Sequence, residues 1–298
     1  MGLATTGERL ALLECAFEAG IRHFDTAPSY GYGEAERVLG DFIRTRRDQL
    51  TVTTKYGIQA PAVVKVRWVN LLARRVLRRL PFLRKAFSSK AQTLTKKCVF
   101  TPAEARQSLD QSLAALKTDY VDLFLLHEPT YADAASEALH QYLEDEVRRG
   151  RIRAFGCGGD FGVIQTASTA KLPTSRWLQF EDNALRPRVE GIQASGARCI
   201  TYGPFKEALP ALTRWLGLVP GRYAEWEHQL DSDCRSESTL AAFLQATSHS
   251  RNPDGIVLFS TRRGDRIASA VQAASSNRFT REQLLKFGEL AKSIQAPL

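Results

Sequence analysis

The chain has 298 residues, with 44% hydrophobic and 24% charged residues and a formal net charge of +9. This composition is typical of an ordinary globular protein and excludes disordered, collagen-like and coiled-coil chains. No run approaches the ~18 apolar residues of a membrane-spanning helix, and no basic and apolar leader follows Met1, so we expect a cytoplasmic protein.

The positive charge is concentrated in one part of the chain. Twelve basic residues and no acidic ones lie between Thr51 and Ala103, which leaves 29 basic against 32 acidic residues elsewhere. A nucleic-acid-binding protein usually spreads its positive surface and interleaves it with aromatic residues. We therefore expect no nucleic-acid partner for the chain as a whole.

Seven short apolar runs recur along the chain, and each precedes turn residues and a stretch with helical period. The predicted strands are Ile21–Phe24, Leu50–Thr54, Tyr120–Leu126, Ile152–Phe155, Arg176–Phe180, Arg198–Thr201 and Gly255–Phe259. Alternation of strands and helices predicts parallel strands, and seven or eight such units favour a closed barrel over an open sheet. No GxGxxG follows an early strand, so the dinucleotide-binding turn of a Rossmann domain is missing.

Three predicted helices have clear starts. Each begins with a threonine followed three residues later by Glu or Gln, the pattern of a capping box. The pairs are Thr5 with Glu8, Thr101 with Glu104, and Thr280 with Gln283.

Residues 57–100 interrupt the alternation, because a loop between a strand and a helix is usually only a few residues long. Within this insertion, the stretch Val69–Leu80 places apolar residues on one helical face and four arginines on the other. We favour a lid or brace packed on the barrel. Binding of residues 63–95 to an anionic membrane surface or to an acidic partner is a second interpretation, and nucleic-acid binding is a third.

Four ionisable residues stand at or just after the ends of predicted strands. Asp25 follows the first strand, Tyr30 lies five residues later, Lys55 follows the second strand and His127 follows the third. The carboxyl ends of the strands are where α/β barrels carry their chemistry. These four residues are therefore the predicted catalytic set.

The motifs around these residues resemble the aldo-keto reductases. The strongest are the runs at residues 20–40, 52–57 and 112–129, and weaker similarity continues at residues 150–156, 179–183, 202–205 and 260–263. The resemblance implies an α/β fold, the (β/α)8 TIM barrel. It also implies an enzyme that reduces aldehydes and ketones with NADPH. It further implies a small-molecule carbonyl or alcohol as the partner.

The resemblance also implies a role for each member of the catalytic set. Tyr30 would donate a proton to the carbonyl oxygen, Lys55 and Asp25 would form the pair beside it, and His127 would orient the carbonyl. An ammonium group next to a tyrosine stabilises its phenolate, which suits such a donor. Tyr32 is an alternative donor, although the spacing from Asp25 and the following Gly31 favour Tyr30.

The same resemblance points to residues that would bind the cofactor. Gln179, with Asn183 near it, would contact the nicotinamide carboxamide, and Tyr202 would stack on the nicotinamide ring. Arginine forks suit a 2′-phosphate, so NADP is favoured over NAD. The residues expected to bind the adenosine phosphate are Ser260, Thr261, Arg262, Arg263 and Arg266.

Two features depart from the family pattern. The family usually has Ser-Asn after the strand at 152–155, where this chain has Cys157-Gly158-Gly159, and little sequence precedes the first predicted helix, so the first barrel strand would be short or missing. We therefore expect one barrel domain over residues 1–298 that acts as a reductase. The alternative is a catalytically degenerate dinucleotide-binding sensor or regulatory subunit.

Overall fold

The computed structural model of the chain describes residues 5–59, 96–275 and 278–294. They divide into two compact units. The first unit contains the described residues up to Glu18, Arg22–Gly158 and Leu172–Thr174, and the second contains the remainder. The predictions for a strand at the very start of the chain and for the basic helix at 69–80 fall outside the described residues. The single-domain interpretation stays a prediction.

The first unit is built on four parallel strands. The second of them pairs with the first and the third, and the third pairs with the fourth. A short antiparallel pair follows β2 and brings Ile58 opposite Lys97. The strands of this unit are β1 His23–Asp25, β2 Thr51–Tyr56, β3 Ile58–Gln59, β4 Lys96–Lys97, β5 Val121–His127 and β6 Ile152–Gly158.

Helices connect these strands, as parallel pairing requires. Gly40 lets two of them approach closely, because a Cβ there would lie 2.5 Å from the Ala115 carbonyl oxygen. The predicted cap at Thr101 is confirmed, since its side chain accepts a hydrogen bond from the Glu104 N–H at 3.3 Å. The helices are α1 Thr6–Glu18, α2 Ala35–Ile43, α3 Pro102–Leu116, α4 Tyr131–Ala134 and α5 Glu137–Arg148.

The second unit contains three parallel strands, in which β8 pairs with both β7 and β9. The predicted capping box at Thr280 is present at the start of its last described helix. The strands are β7 Trp177–Glu181, β8 Arg198–Tyr202 and β9 Ile256–Leu258. The helices are α6 Phe161–Thr169, α7 Val189–Gln193, α8 Ala208–Gly217, α9 Arg222–Leu230, α10 Glu237–Arg251, α11 Gly264–Ser275 and α12 Arg281–Lys292.

An aromatic cluster forms the core of the second unit. Phe243 of α10 stacks on Phe279 and on Phe287, with ring centroids 3.8 and 4.9 Å away. Trp226 is 1% exposed and lies edge-on to Phe287. This packing explains why α10 is buried along most of its length.

The turn after α10 is held by a buried amide. Asn252 donates from Nδ2 to the carbonyl oxygens of Cys199 and Ile256, at 3.1 and 3.3 Å. A Cβ at Gly255 would lie 2.3 Å from the Cys199 carbonyl oxygen, so only glycine fits there. The start of β9 therefore depends on Asn252 and Gly255 together.

All seven predicted strands are present, and most of them end one to three residues later than the apolar runs. Asp25, Lys55 and His127 consequently lie inside β1, β2 and β5 rather than after them. None of the helices in the described ranges has the length and hydropathy needed to cross a membrane.

Candidate active site

Two of the four predicted catalytic residues, Asp25 and Tyr30, bind the side-chain nitrogen of a third, Lys55. The Lys55 side chain is 1% exposed and forms an ion pair with Asp25, whose side chain is 11% exposed. Lys55 Nζ also donates to the Thr26 carbonyl oxygen at 3.2 Å and to Tyr30 Oη at 3.1 Å. A buried ammonium group is tolerated only when it is paired and hydrogen-bonded. Here its three protons have three acceptors.

Strand pairing explains why these groups meet. The register places Asp25 opposite Thr53, and the Thr26 N–H bonds to the Thr53 carbonyl oxygen at 2.8 Å. Asp25 and Lys55 therefore come from adjacent strands, two residues out of step. The short 3-10 helix Tyr30–Gly33 then places Tyr30 on the same side, with its N–H bonded to the Ala27 carbonyl oxygen.

His127 is the fourth member of the set, and it contacts Tyr30 through its ring. The two ring centroids lie 6.0 Å apart and the ring planes are nearly perpendicular, at 87°. The register places Lys55 opposite Leu125 and His127 opposite Gly158. The structure thus brings together all four residues predicted from the sequence. Their catalytic roles stay predictions.

Tyr30 is the most accessible of the hydrogen-bonded groups. It is 39% exposed, whereas Lys55 is buried. A hydroxyl group that accepts a hydrogen bond from a buried ammonium and still reaches solvent can donate its own proton to a small molecule. The arrangement is therefore chemically competent for proton donation.

Two further titratable groups lie close to this set. His23 precedes Asp25 by two residues on the same face of β1, and its ring nitrogens contact the hydroxyls of Thr51 and Thr53 at 2.8 and 3.2 Å. Burial lowers the pKa of His23. Burial raises the pKa of Glu36, whose carboxylate accepts a hydrogen bond from Thr54 Oγ1 at 2.6 Å. Neither His23 nor Glu36 is among the site residues predicted from the sequence.

The predicted cofactor residues lie in the second unit. Gln179 is 5% exposed within β7, and Tyr202 ends β8 with 36% of its surface exposed. Asn183 stabilises the main chain that follows it, because its Oδ1 accepts hydrogen bonds from the N–H groups of Leu185 and Arg186. Gly159 donates its N–H to the Gln179 carbonyl oxygen at 3.0 Å.

Exposed arginines surround the start of α11. Arg262 and Arg263 precede the helix and Arg266 lies in its first turn, where the helix dipole disfavours a cation. Ser260 and Thr261 lie in the same loop, and Thr261 Oγ1 accepts the Arg263 N–H at 3.1 Å. Three guanidinium groups, two hydroxyls and a helix N-terminus form a donor set that fits a phosphate group.

One of these arginines already has an anionic partner. Arg263 binds both carboxylate oxygens of Asp265, with Nε donating to Oδ1 at 3.0 Å and Nη2 pairing with Oδ2. This pairing lowers the pKa of Asp265. This pair was not predicted from the sequence, although Asp265 stands only two residues after Arg263.

Comparisons with known proteins agree with this architecture. A sequence model of the Aldo/keto reductase family matches residues 4–213. The chain is 33% identical over 160 residues to D-threo-aldose 1-dehydrogenase of a Pseudomonas species, covering 51% of this chain and 44% of that protein. It is 26% identical over 292 residues to 6-dehydroglucose reductase of Novosphingobium aromaticivorans, covering 90% of this chain and 81% of that protein.

Solved structures support the fold. The aldo-keto reductase AKR11C1 of Bacillus halodurans, in its holo form, superposes with a TM-score of 0.65 over 97% of this chain and 88% of that one, at 22% identity. This likeness confirms the predicted (β/α)8 barrel fold class. The matches to the first curated relatives span less than half of their length, 44% and 42%. From the family match over most of its residues, the chain belongs to the Aldo/keto reductase family.

Proposed function

We propose that the protein is an NADPH-dependent oxidoreductase that reduces an aldehyde or ketone, or oxidises a sugar or alcohol, with Tyr30 as proton donor. The observation that supports this most is the hydrogen bonding of Lys55. Its ammonium donates to Asp25, to the Thr26 carbonyl oxygen and to Tyr30 Oη. Tyr30 Oη therefore accepts from Lys55, and its own proton is available to a substrate oxygen.

A reduced nicotinamide, held by Gln179 and Tyr202, would supply a hydride to the substrate carbon. The carbonyl oxygen then gains negative charge and takes the proton of Tyr30. Lys55 stabilises the resulting phenolate, and Asp25 keeps Lys55 charged in its buried position. His127, edge-on to the Tyr30 ring, is a second donor to the oxygen.

The residues that would hold the cofactor come from the second unit. Arg262, Arg263 and Arg266, with Ser260 and Thr261, would bind the adenosine phosphates, and a 2′-phosphate suits the arginine forks. Gln179 would contact the nicotinamide carboxamide and Tyr202 would stack on the ring. The Arg263–Asp265 pair leaves Arg262 and Arg266 as the stronger candidates for the 2′-phosphate.

For the substrate, the relatives' names favour sugars. D-threo-aldose 1-dehydrogenase and 6-dehydroglucose reductase both act on aldoses or their oxidised forms by name. We therefore propose an aldose or a sugar-derived carbonyl compound as the substrate class. No disulfide joins the five cysteines, which suits a cytoplasmic setting, and we propose that setting as well.

The test is a fluorescence titration with NADPH followed by turnover assays. Quenching or a blue shift of the NADPH emission, with consumption of NADPH on addition of small aldehydes or of NADP on addition of aldoses, is the expected result. Binding without turnover would favour the dinucleotide sensor instead. No binding of either nucleotide would contradict both functions.

A further inference from the structure

The end of β2 is covered by the chain segment 98–101, and two hydrogen-bonded residues fix this segment in place. The Cys98 N–H donates to the Gly57 carbonyl oxygen at 2.8 Å. The buried Tyr56 hydroxyl donates to the Val99 carbonyl oxygen at 2.6 Å and accepts the Thr101 N–H at 3.0 Å. The main chain on both sides of Phe100 is therefore tied to β2.

Phe100 occupies the space that a side chain at position 57 would need. Gly57 has a φ of +135°, and a Cβ there would lie 2.5 Å from the His127 carbonyl oxygen and 2.6 Å from Phe100 Cζ. The Phe100 ring also packs edge-on against Tyr56, with centroids 5.1 Å apart. Gly57, Phe100 and the main chain of His127 thus meet without room for one methyl group.

The opposite side of His127 is also fixed. His127 pairs with Gly158 of β6, and the next N–H, that of Glu128, donates to the Gly158 carbonyl oxygen at 2.8 Å. Glu128 has a φ of +57°, in the left-handed region that is unfavourable for residues other than glycine. The strand end that carries His127 is therefore held between Gly158 and the contact with Gly57 and Phe100.

From this geometry we propose that Phe100 and Gly57 are positioning residues for His127. This inference rests on the proposed function of His127. The Phe100 side chain has no polar atoms, so its proposed effect on the catalytic set comes from packing alone. The Phe100 ring packs against Gly57, which lies against the His127 carbonyl oxygen, so Phe100 limits the position of that oxygen through Gly57, and the His127 ring follows its main chain toward or away from Tyr30.

The first test is a double-mutant cycle with Phe100→Leu and His127→Ala. We expect Phe100→Leu to lower kcat/KM for a small aldehyde about three- to ten-fold, because small misplacements of reacting groups are costly, and to leave the NADPH Kd within about two-fold. In the His127→Ala background the same change should cost less than about two-fold. Equal losses in both backgrounds would overturn the proposal.

The control is Phe17→Leu, since Phe17 is also half-buried and lies edge-on to another phenylalanine, Phe42. It should lower the melting temperature as Phe100→Leu does and leave kcat/KM unchanged. Gly57→Ala should lower kcat/KM more than Phe100→Leu does. The soluble fraction is compared for these two variants.

A second readout needs no activity. The chain has five histidines, so the imidazole signals of His127 can be assigned in nitrogen-correlated NMR spectra by their loss in His127→Ala. Phe100→Leu should shift these signals and Phe17→Leu should not, and unmoved signals would overturn the proposal. If Tyr30→Phe keeps full turnover while the signals shift, the proposed function fails and the positioning contact stands.

Discussion

The two groups of predicted functional residues are organised in opposite ways. In the first unit, Asp25, Tyr30 and Lys55 are joined by hydrogen bonds within the chain, and Lys55 is almost fully buried. In the second unit, Arg262 and Arg266 are exposed, and Arg263 is paired with a neighbour. The fold alone can hold opposite charges close together, because they attract each other. Neighbouring like charges repel one another, so these arginine side chains face water or pair with a carboxylate.

The largest effect should come from removing the Tyr30 hydroxyl. Tyr30→Phe should lower turnover about 10²- to 10⁴-fold, the usual contribution of a general acid, and leave the NADPH Kd within a few-fold. Steady-state assays and NADPH fluorescence measure the two quantities. The matched control is Tyr32→Phe, which should have little effect, and a reversed pattern would make Tyr32 the donor.

Lys55→Met should affect both turnover and stability. Removing one partner of a buried ion pair leaves the other charge uncompensated, so loss of Lys55 beside Asp25 should cost about 3–5 kcal/mol of unfolding free energy. Urea unfolding measures this. Lys117 pairs with Asp41 at an exposed position, so Lys117→Met should cost less than about 1 kcal/mol. Equal losses would mean that burial of Lys55 is unimportant.

Arginine replacements test the second group. Arg262→Ala should weaken NADPH binding by about 1.5–3 kcal/mol for each charged hydrogen bond lost and leave NADH binding nearly unchanged. Arg263→Ala should weaken NADPH binding less, because the Arg263 guanidinium already donates hydrogen bonds to Asp265. Titrations with both nucleotides decide the question. Equal weakening of NADPH and NADH would mean that neither arginine contacts a 2′-phosphate.

The smallest effect should be a gain. Asp265→Asn releases Arg263 and removes a negative charge, so NADPH should bind about two- to five-fold more tightly while NADH is unaffected. Because Arg263 lowers the pKa of Asp265, the carboxylate stays ionised and the difference should hold across neutral pH. Asp254→Asn, at another exposed position, is the control. A gain for both nucleotides there would indicate a general charge effect.

The residues predicted as a catalytic set lie together in the structure, and they could be picked out because their signals are local; their catalytic roles stay predictions. An ionisable residue at the end of an apolar run is visible without the fold, and Asp25, Lys55 and His127 all have this signal. The predicted strands ended too early because apolar character stops before strand pairing does. Lys55 pairs with Leu125 and His127 with Gly158, one step beyond each apolar run.

Other parts of the site depend on contacts that no local pattern reveals. The Thr26 carbonyl oxygen is a main-chain group, and every residue has one. The contact of Gly57 with Phe100 and His127 joins three distant parts of the chain. The Arg263–Asp265 pair was visible in the sequence, but so were many other neighbouring charges, and only side-chain geometry distinguishes this pair.

The antiparallel pairing of β3 with β4 has a consequence for how this chain can change in length. Ile58 lies opposite Lys97 and Gln59 opposite Lys96, so main-chain pairing joins the two chain segments on either side of residues 60–95. Loop-closure entropy grows only with the logarithm of loop length, about 0.6 kcal/mol for each doubling. Because β3 and β4 pair with each other, we expect the register of β2 to depend on this pairing more than on the number of residues between Gln59 and Lys96. This position is a natural point for grafting foreign segments, such as a tag or a second binding module, without altering Lys55.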